Sequence, residues 1–155
     1  MQIVYNFLAF LGAFAAMEFV AWSVHKYIMH GVLWSLHRDH HELKKHRFER
    51  NDLFAVFFSF FASGLFIFGM SEPIFFWIGL GVSAYGAVYF IFHDMIVHRR
   101  LRLPFRLQSA YLRRITRAHR LHHAVREKHG AVSFGFLVSA HPDELKATLR
   151  QSPRL

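Results

Sequence analysis

Apolar residues fall into three long blocks separated by short polar ones. Residues 3–24 (IVYNFLAFLGAFAAMEFVAWSV) are apolar except for Asn6, Glu18 and Ser23. Crossing a bilayer as a helix takes roughly 20 such residues, so this block predicts a first spanning helix. A cleaved signal peptide is the competing reading, but no basic residue precedes the block, which runs directly into His25. Residues 53–70 (LFAVFFSFFASGLFIFGM) predict a short second span, Ser71, Glu72 and Pro73 a tight turn, and residues 74–92 a third span. Gly79, Ser83 and Gly86 recur along that third helix at a spacing that lets a neighbour approach closely. A further apolar stretch, residues 131–140 (AVSFGFLVSA), is too short to span. It is expected to pack against the rest, to lie at the membrane interface, or to re-enter the bilayer as a fourth segment. The expected fold is therefore all-α, an integral membrane helical bundle with three clear spans, built as a single domain over residues 1–155.

Composition and charge sharpen this picture. The chain is 54% hydrophobic with 19 Phe and carries a formal charge of +9. No Lys or Arg occurs in residues 1–25 or 51–98; all 19 lie in 26–50 and 99–154. Apolar blocks alternating with cationic ones fit membrane spans and cytoplasmic segments. A basic nucleic-acid binder would share the charge, but not the uncharged Phe-rich blocks between, and no nucleic-acid partner is expected. By the positive-inside rule, the N-terminus and the 71–73 turn lie outside and the two cationic segments lie inside. There are no cysteines, which removes disulfides, iron–sulfur clusters, thiolate zinc sites and a cysteine nucleophile. Any metal must be held by nitrogen and oxygen.

Ten of the 13 histidines repeat one pattern twice: His25 and His30 (HX4H), then His37, His40 and His41 (HX2HH); His93 and His98, then His119, His122 and His123. Neutral imidazole is a common ligand for first-row transition metals. One ion takes about six ligands at most, so ten candidates suggest two ions in a shared cage. In HX2HH, positions i, i+3 and i+4 share a helical face and can aim three imidazoles at one point. In HX4H the two residues lie about 140° apart on an ideal α-helix, so such a pair is expected to straddle two metals or to sit where a helix ends. His25/His30 and His93/His98 lie at the C-terminal ends of the first and third spans, which places all four clusters on the cytoplasmic face. Ligating imidazoles usually donate their other N–H to an oxygen; Asp39 and Asp94, inside the clusters, are candidates for that role. Glu18, an ionisable group inside a span, is expected to be functional or to face a neighbouring helix. His46, His129 and His141 fall outside the pattern and are expected to be solvated or interfacial.

The order HX4H, HX2HH, HX4H, HX2HH, with HRDHH at 37–41, HDMIVH at 93–98 and VSFGFL at 132–137, resembles the β-carotene 3-hydroxylases of the fatty acid hydroxylase/sterol desaturase superfamily. The resemblance covers about residues 20–140. It implies a membrane-bound non-haem diiron monooxygenase that hydroxylates carbon 3 of the β-ionone rings of β-carotene, giving β-cryptoxanthin and zeaxanthin. It also implies His25, His30, His37, His40, His41, His93, His98, His119, His122 and His123 as ligands of two iron ions, although by residue chemistry alone zinc and manganese stay open. The expected location is a bacterial inner membrane, with the metal site on its cytoplasmic face.

Hydroxylation of an unactivated C–H bond with O2 consumes two electrons, and the chain has no flavin or nucleotide motif, so an external donor is implied, a ferredoxin with its reductase. The arginine-dense stretch 99–126 can dock an acidic partner, or can serve only to fix topology and meet anionic lipid. A carotenoid partitions into the bilayer, and Phe54, Phe57, Phe58, Phe60 and Phe61 of the second span can line its path or simply face lipid. The rival functions are a fatty acyl or sterol hydroxylase or desaturase using the same kind of centre, and a non-enzymatic membrane metal-binding or transport protein. A transporter would carry its ligands near the bilayer midplane, whereas the spans here hold no histidine before their ends. A bis-histidine haem protein would need facing pairs within helices.

Overall fold

The computed structural model describes residues 1–42, 48–101 and 109–151; His46 lies outside them. The first apolar block forms α1 (Gln2–Ser23), which continues without a break into a π-helical segment, Val24–Val32. A kink at Gly31 then leads to α2 (Trp34–His41). The second block forms α3 (Asp52–Phe68), and the third forms α4 (Pro73–Tyr89), again extended by a π-helical segment, Phe90–Val97. Pro73 opens α4 at its first turn, where a missing N–H costs nothing. Helix α5 (Ala110–His122) starts at Ser109, whose hydroxyl accepts from the Leu112 N–H at 3.1 Å, an ordinary N-cap. Helix α6 (Pro142–Gln151) is the last described element, and the described residues contain no strand.

The all-helical expectation holds, and the span count needs a finer statement. Two continuous helices, Gln2–Val32 and Pro73–Val97, are long and apolar enough to cross a membrane; α3 is apolar but shorter, at 17 residues. Only 6% of the apolar window of the first helix is buried by the protein itself. A core helix of a water-soluble protein would be covered, so this surface needs lipid or another apolar cover. Phe57, Phe60 and Phe61 of α3 are likewise exposed, while Phe54 and Phe58 turn inward to line a cavity.

Helices α1 and α4 run parallel and pack along their length, with α3 antiparallel against α4. Met17, Ala62, Val82 and Tyr85 form the core, flanked by Phe14, Phe58, Leu65 and Tyr89. The closest approach is at Gly81, where an added Cβ would lie 2.5 Å from the Phe10 carbonyl oxygen and 2.9 Å from Ala13 Cβ. The small-residue stripe expected at Gly79, Ser83 and Gly86 is thus only part of the packing device. Gly79 faces Leu65 of α3, Gly86 has no close neighbour, and Gly81 carries the α1 contact.

Residues 131–140 form no fourth helix. They run as an irregular loop that folds back over the end of the bundle, burying Val132 and Phe136. Val132 also joins Ala118 of α5 and Leu145 of α6 in a second small core. Helix α6 was not expected from the sequence; it opens with Pro142 and an acidic first turn, Asp143 and Glu144.

Replacing Gly81 by Leu is expected to force α1 from α4. Overpacking of this kind costs about 1–3 kcal/mol, so the detergent-solubilised variant should melt at a lower temperature, whereas Gly86→Ala should match the parent.

Candidate metal centre

The two π-helical segments explain the HX4H spacing. Their backbone hydrogen bonds run from residue i+5 back to i: His98 N–H donates to the His93 carbonyl at 2.9 Å, and Leu33 N–H to the Ile28 carbonyl at 2.9 Å. Residues five apart therefore stack on one face. Each HX4H pair enters a single group, not a position between two; the other expected arrangement, a pair where a helix ends, is the one seen, with His98 at the end of its segment and His30 directly before the kink at Gly31.

Nine histidines form two groups, in each of which the ring nitrogens lie within 4.8 Å of one another: His25, His30, His37, His41 and His122; and His40, His93, His98 and His119. His123 joins the second group through His119, with their Nε2 atoms 2.9 Å apart. Each HX2HH motif is split. Its first and last histidines stay with their own HX4H pair, while the middle one, His40 or His122, crosses to the other group. Three imidazoles aimed at one point, as the motif alone suggested, are not what the helices provide.

Within the groups, Nε2 atoms face Nε2 atoms at 3.0–3.2 Å, as in His25–His37, His30–His41, His37–His41, His40–His93 and His98–His119. The other ring nitrogen is occupied. Nδ1–H donates to the carbonyl of Phe134 from His25 (3.0 Å), of Lys128 from His30 (3.0 Å), of Val125 from His41 (2.8 Å) and of Val132 from His122 (2.9 Å). It donates to side-chain oxygens of Asn51 from His37 (2.7 Å), Glu49 from His40 (2.7 Å) and Asp94 from His93 (3.3 Å). Oxygens without a proton to give fix these seven rings as Nδ1–H tautomers. Their Nε2 lone pairs then point at one another with no proton between. A cation resolves that repulsion, and the spacing fits one: nitrogens about 2.1 Å from an ion and at right angles lie about 3.0 Å apart. The residues present fit a pair of metal ions.

Burial reinforces the neutral state. Desolvation drives the imidazoles of His40, His119 and His122 well below their usual pKa, with the neighbouring histidines adding to the effect. His41 is pushed down to about 4, again chiefly by burial.

Of the two expected carboxylate supports, Asp94 meets His93. Asp39 does not touch a ring; its carboxylate accepts from the Arg50 backbone N–H at 2.7 Å and holds the chain entering α3. The supports missed from sequence are Glu49 and Asn51, directly before α3, and four loop carbonyls that no side-chain pattern can reveal. His129 and His141 are exposed, as expected.

Glu18 ties this shell to the bundle. Its Oε1 accepts from the backbone N–H of Phe136, Leu137 and Val138 at 2.8, 2.9 and 3.0 Å, and its Oε2 from the Tyr85 hydroxyl at 2.7 Å. Gly135 is required where the loop passes this carboxylate, because a Cβ there would strike the Val138 carbonyl. Ser133, in a left-handed conformation (φ 60°), separates the two carbonyls of Val132 and Phe134 that hold His122 and His25.

A cavity of about 490 Å³ lies between α1, α3, α4 and this loop. Met17, Phe58, Phe66 and Phe136 give it an apolar wall, and His25, His93 and His119 close one end. It therefore touches both histidine groups.

An all-helical chain with long apolar helices and a double histidine cage at one end of the bundle is the class defined so far. The chain belongs to the fatty acid hydroxylase family of enzymes, whose model matches residues 10–148. It is similar to a β-carotene hydroxylase of Paracoccus sp., at 43% identity over 95% of this chain and 92% of the relative. It is also similar to one of Pantoea ananas, at 45% identity over 96% of this chain and 85% of the relative. A chloroplastic β-carotene 3-hydroxylase of Arabidopsis thaliana is 33% identical over 91% of this chain and 46% of the relative. No solved structure matches the chain.

Two outcomes are expected from this geometry. Glu18→Ala leaves three backbone N–H groups of the loop without their acceptor, at about 1–3 kcal/mol; the variant should melt lower and retain less metal after dialysis. The second concerns acid. With folded-state pKa values below the unfolded value near 6.5, the unfolded chain binds more protons under acid conditions. Stability of the metal-stripped protein should be full above about pH 6.5 and fall as the pH drops toward 4, read as a melting temperature that is level at pH 7–8 and lower at pH 5.

Proposed function

We propose that this chain hydroxylates carbon 3 of the β-ionone rings of β-carotene, giving β-cryptoxanthin and then zeaxanthin. The observation that carries the reading is the cavity itself: an apolar space open between helices that face lipid, ending on histidines of both groups. A hydrocarbon ring fits such walls, and the relatives' names supply the substrate class. The metal ligands are the ten histidines His25, His30, His37, His40, His41, His93, His98, His119, His122 and His123, holding two iron ions in a single domain spanning the chain. Iron bound there supplies O2 activation. The balanced reaction takes one O2, two electrons and two protons to one hydroxyl group and one water.

The chain's own residues do three things for this chemistry. Met17, Phe58 and Phe136 exclude water and orient the ring edge toward the cage. The loop carbonyls, Asn51, Glu49 and Asp94 keep Nε2 lone pairs aimed inward. Glu18 and Tyr85 hold the loop that closes the cavity over those histidines. The electrons come from a ferredoxin-type donor with its reductase, and the exposed arginines Arg113, Arg117 and Arg120 of α5 offer an acidic protein a landing surface. The charge pattern supports three spans in a bacterial inner membrane with the cage on the cytoplasmic face.

The test is pigment analysis in a bacterial host that accumulates β-carotene. Conversion to mono- and dihydroxylated products is expected, and its loss in His122→Ala at unchanged membrane level. Unchanged β-carotene with the protein and a donor present would redirect the assignment to a fatty acyl or sterol substrate.

A further inference from the structure

The oxygens behind the two histidine groups differ in charge. In the first group every Nδ1 partner is neutral: the carbonyls of Val125, Lys128, Val132 and Phe134, and the Asn51 side chain. In the second, His40 is backed by Glu49 and His93 by Asp94, both carboxylates. Arg100 gathers these two acids and one more. Its guanidinium lies 2.7 Å from Glu49, 3.1 Å from Asp94 and 2.6 Å from Asp52. The side chains of Glu49 and Asp94 are only 6% and 13% exposed, so water and salt screen them weakly. Among the described residues, one guanidinium thus bridges three carboxylates, two of which stand directly behind imidazoles of the second group.

A carboxylate behind an imidazole makes it a more basic ligand than a carbonyl does, and loss of such a partner typically changes metal affinity by about 10–100-fold. Buried negative charge adds direct attraction for a cation. We propose that the two metal positions are unequal: the one at His40, His93, His98, His119 and His123 holds its ion more tightly than the one at His25, His30, His37, His41 and His122, because carboxylates, those of Glu49 and Asp94 bridged by Arg100, back imidazoles of the former and only neutral oxygens back the latter. This rests on the two-metal reading above. Glu49, Asp94 and Arg100 are positioning residues that act through His40 and His93. The position they do not support exchanges its ion first.

The full chain, purified in detergent and saturated with Co(II), tests this by graded chelator extraction with metal counted per chain. Two ions lost in two separate steps are expected. Glu49→Gln keeps an acceptor for His40 and removes the charge; it should shift the tighter step by about 10–100-fold and leave the weaker step in place. Asp94→Asn should act the same way, and covers the case in which Glu49→Gln does not fold. Asn51→Ala should move only the weaker step. Loss of both ions in one step from the parent, or a shift of the weaker step alone in Glu49→Gln and Asp94→Asn, would overturn the inequality. Fewer than two ions bound at saturation would instead overturn the two-metal reading.

Discussion

The histidine-bearing end of the structure is organised by ring nitrogens forced to face one another. Imidazole lone pairs 3.0–3.2 Å apart repel, and nothing apolar can be packed between them. The arrangement is relieved if a cation fills the middle, and an acceptor behind each of seven rings keeps the proton on the far nitrogen. Much of the chain outside the apolar helices serves the second requirement. The stretch from Val125 to Phe134 contributes four carbonyls in ten residues, and it can do so because it is not helical: a helix would have spent those oxygens on its own N–H groups.

That loop has little packing of its own, so it needs an anchor from the bundle. Glu18 supplies it. A carboxylate in an apolar helix is costly unless its oxygens are occupied, and here the loop's N–H groups and Tyr85 occupy them. The same contacts close the cavity over His25, His93 and His119. One residue thereby links helix packing, the outer support of the cage and the wall of the cavity.

The apolar helices and the ten histidines were legible in the sequence because both are written as residue types at fixed spacing. What failed was the placing of individual histidines by ideal α-helical geometry. HX4H looked like a pair splayed by about 140°; two π-turns bring His25 with His30, and His93 with His98, onto shared faces. HX2HH looked like a three-point chelate; the crossing of His40 and His122 is a property of how α2 and α5 meet, which no local pattern encodes. Glu49 and Asn51 went unrecognised because their signal is position, immediately before α3, and not a motif. Asp39 was a reasonable candidate by proximity, but proximity in sequence on a helix directs it away from the rings it neighbours. The stretch 131–140 was read as too short to span, with packing against the rest of the chain as one alternative, and it does pack there; its use of backbone oxygens for histidines is invisible in side chains.

The crossing has a consequence beyond ligand count. Were each repeat to satisfy its own group, the two halves could separate without disturbing either. With His40 in the second group and His122 in the first, each group is complete only when α2 and α5 have both docked with its own π-segment, so the two groups share two of their three elements. Metal binding to such a site draws on the folding of the whole histidine-bearing end of the bundle, since the ligands come from four separate elements and the free energy of binding is also the free energy of assembling them. The apolar helices are then held together at two places by different physics. At Gly81 it is close packing against α1; at the far end it is shared ligands. The cavity lies between those two fastenings, which lets its walls stay apolar and uncrowded without the bundle falling open around it.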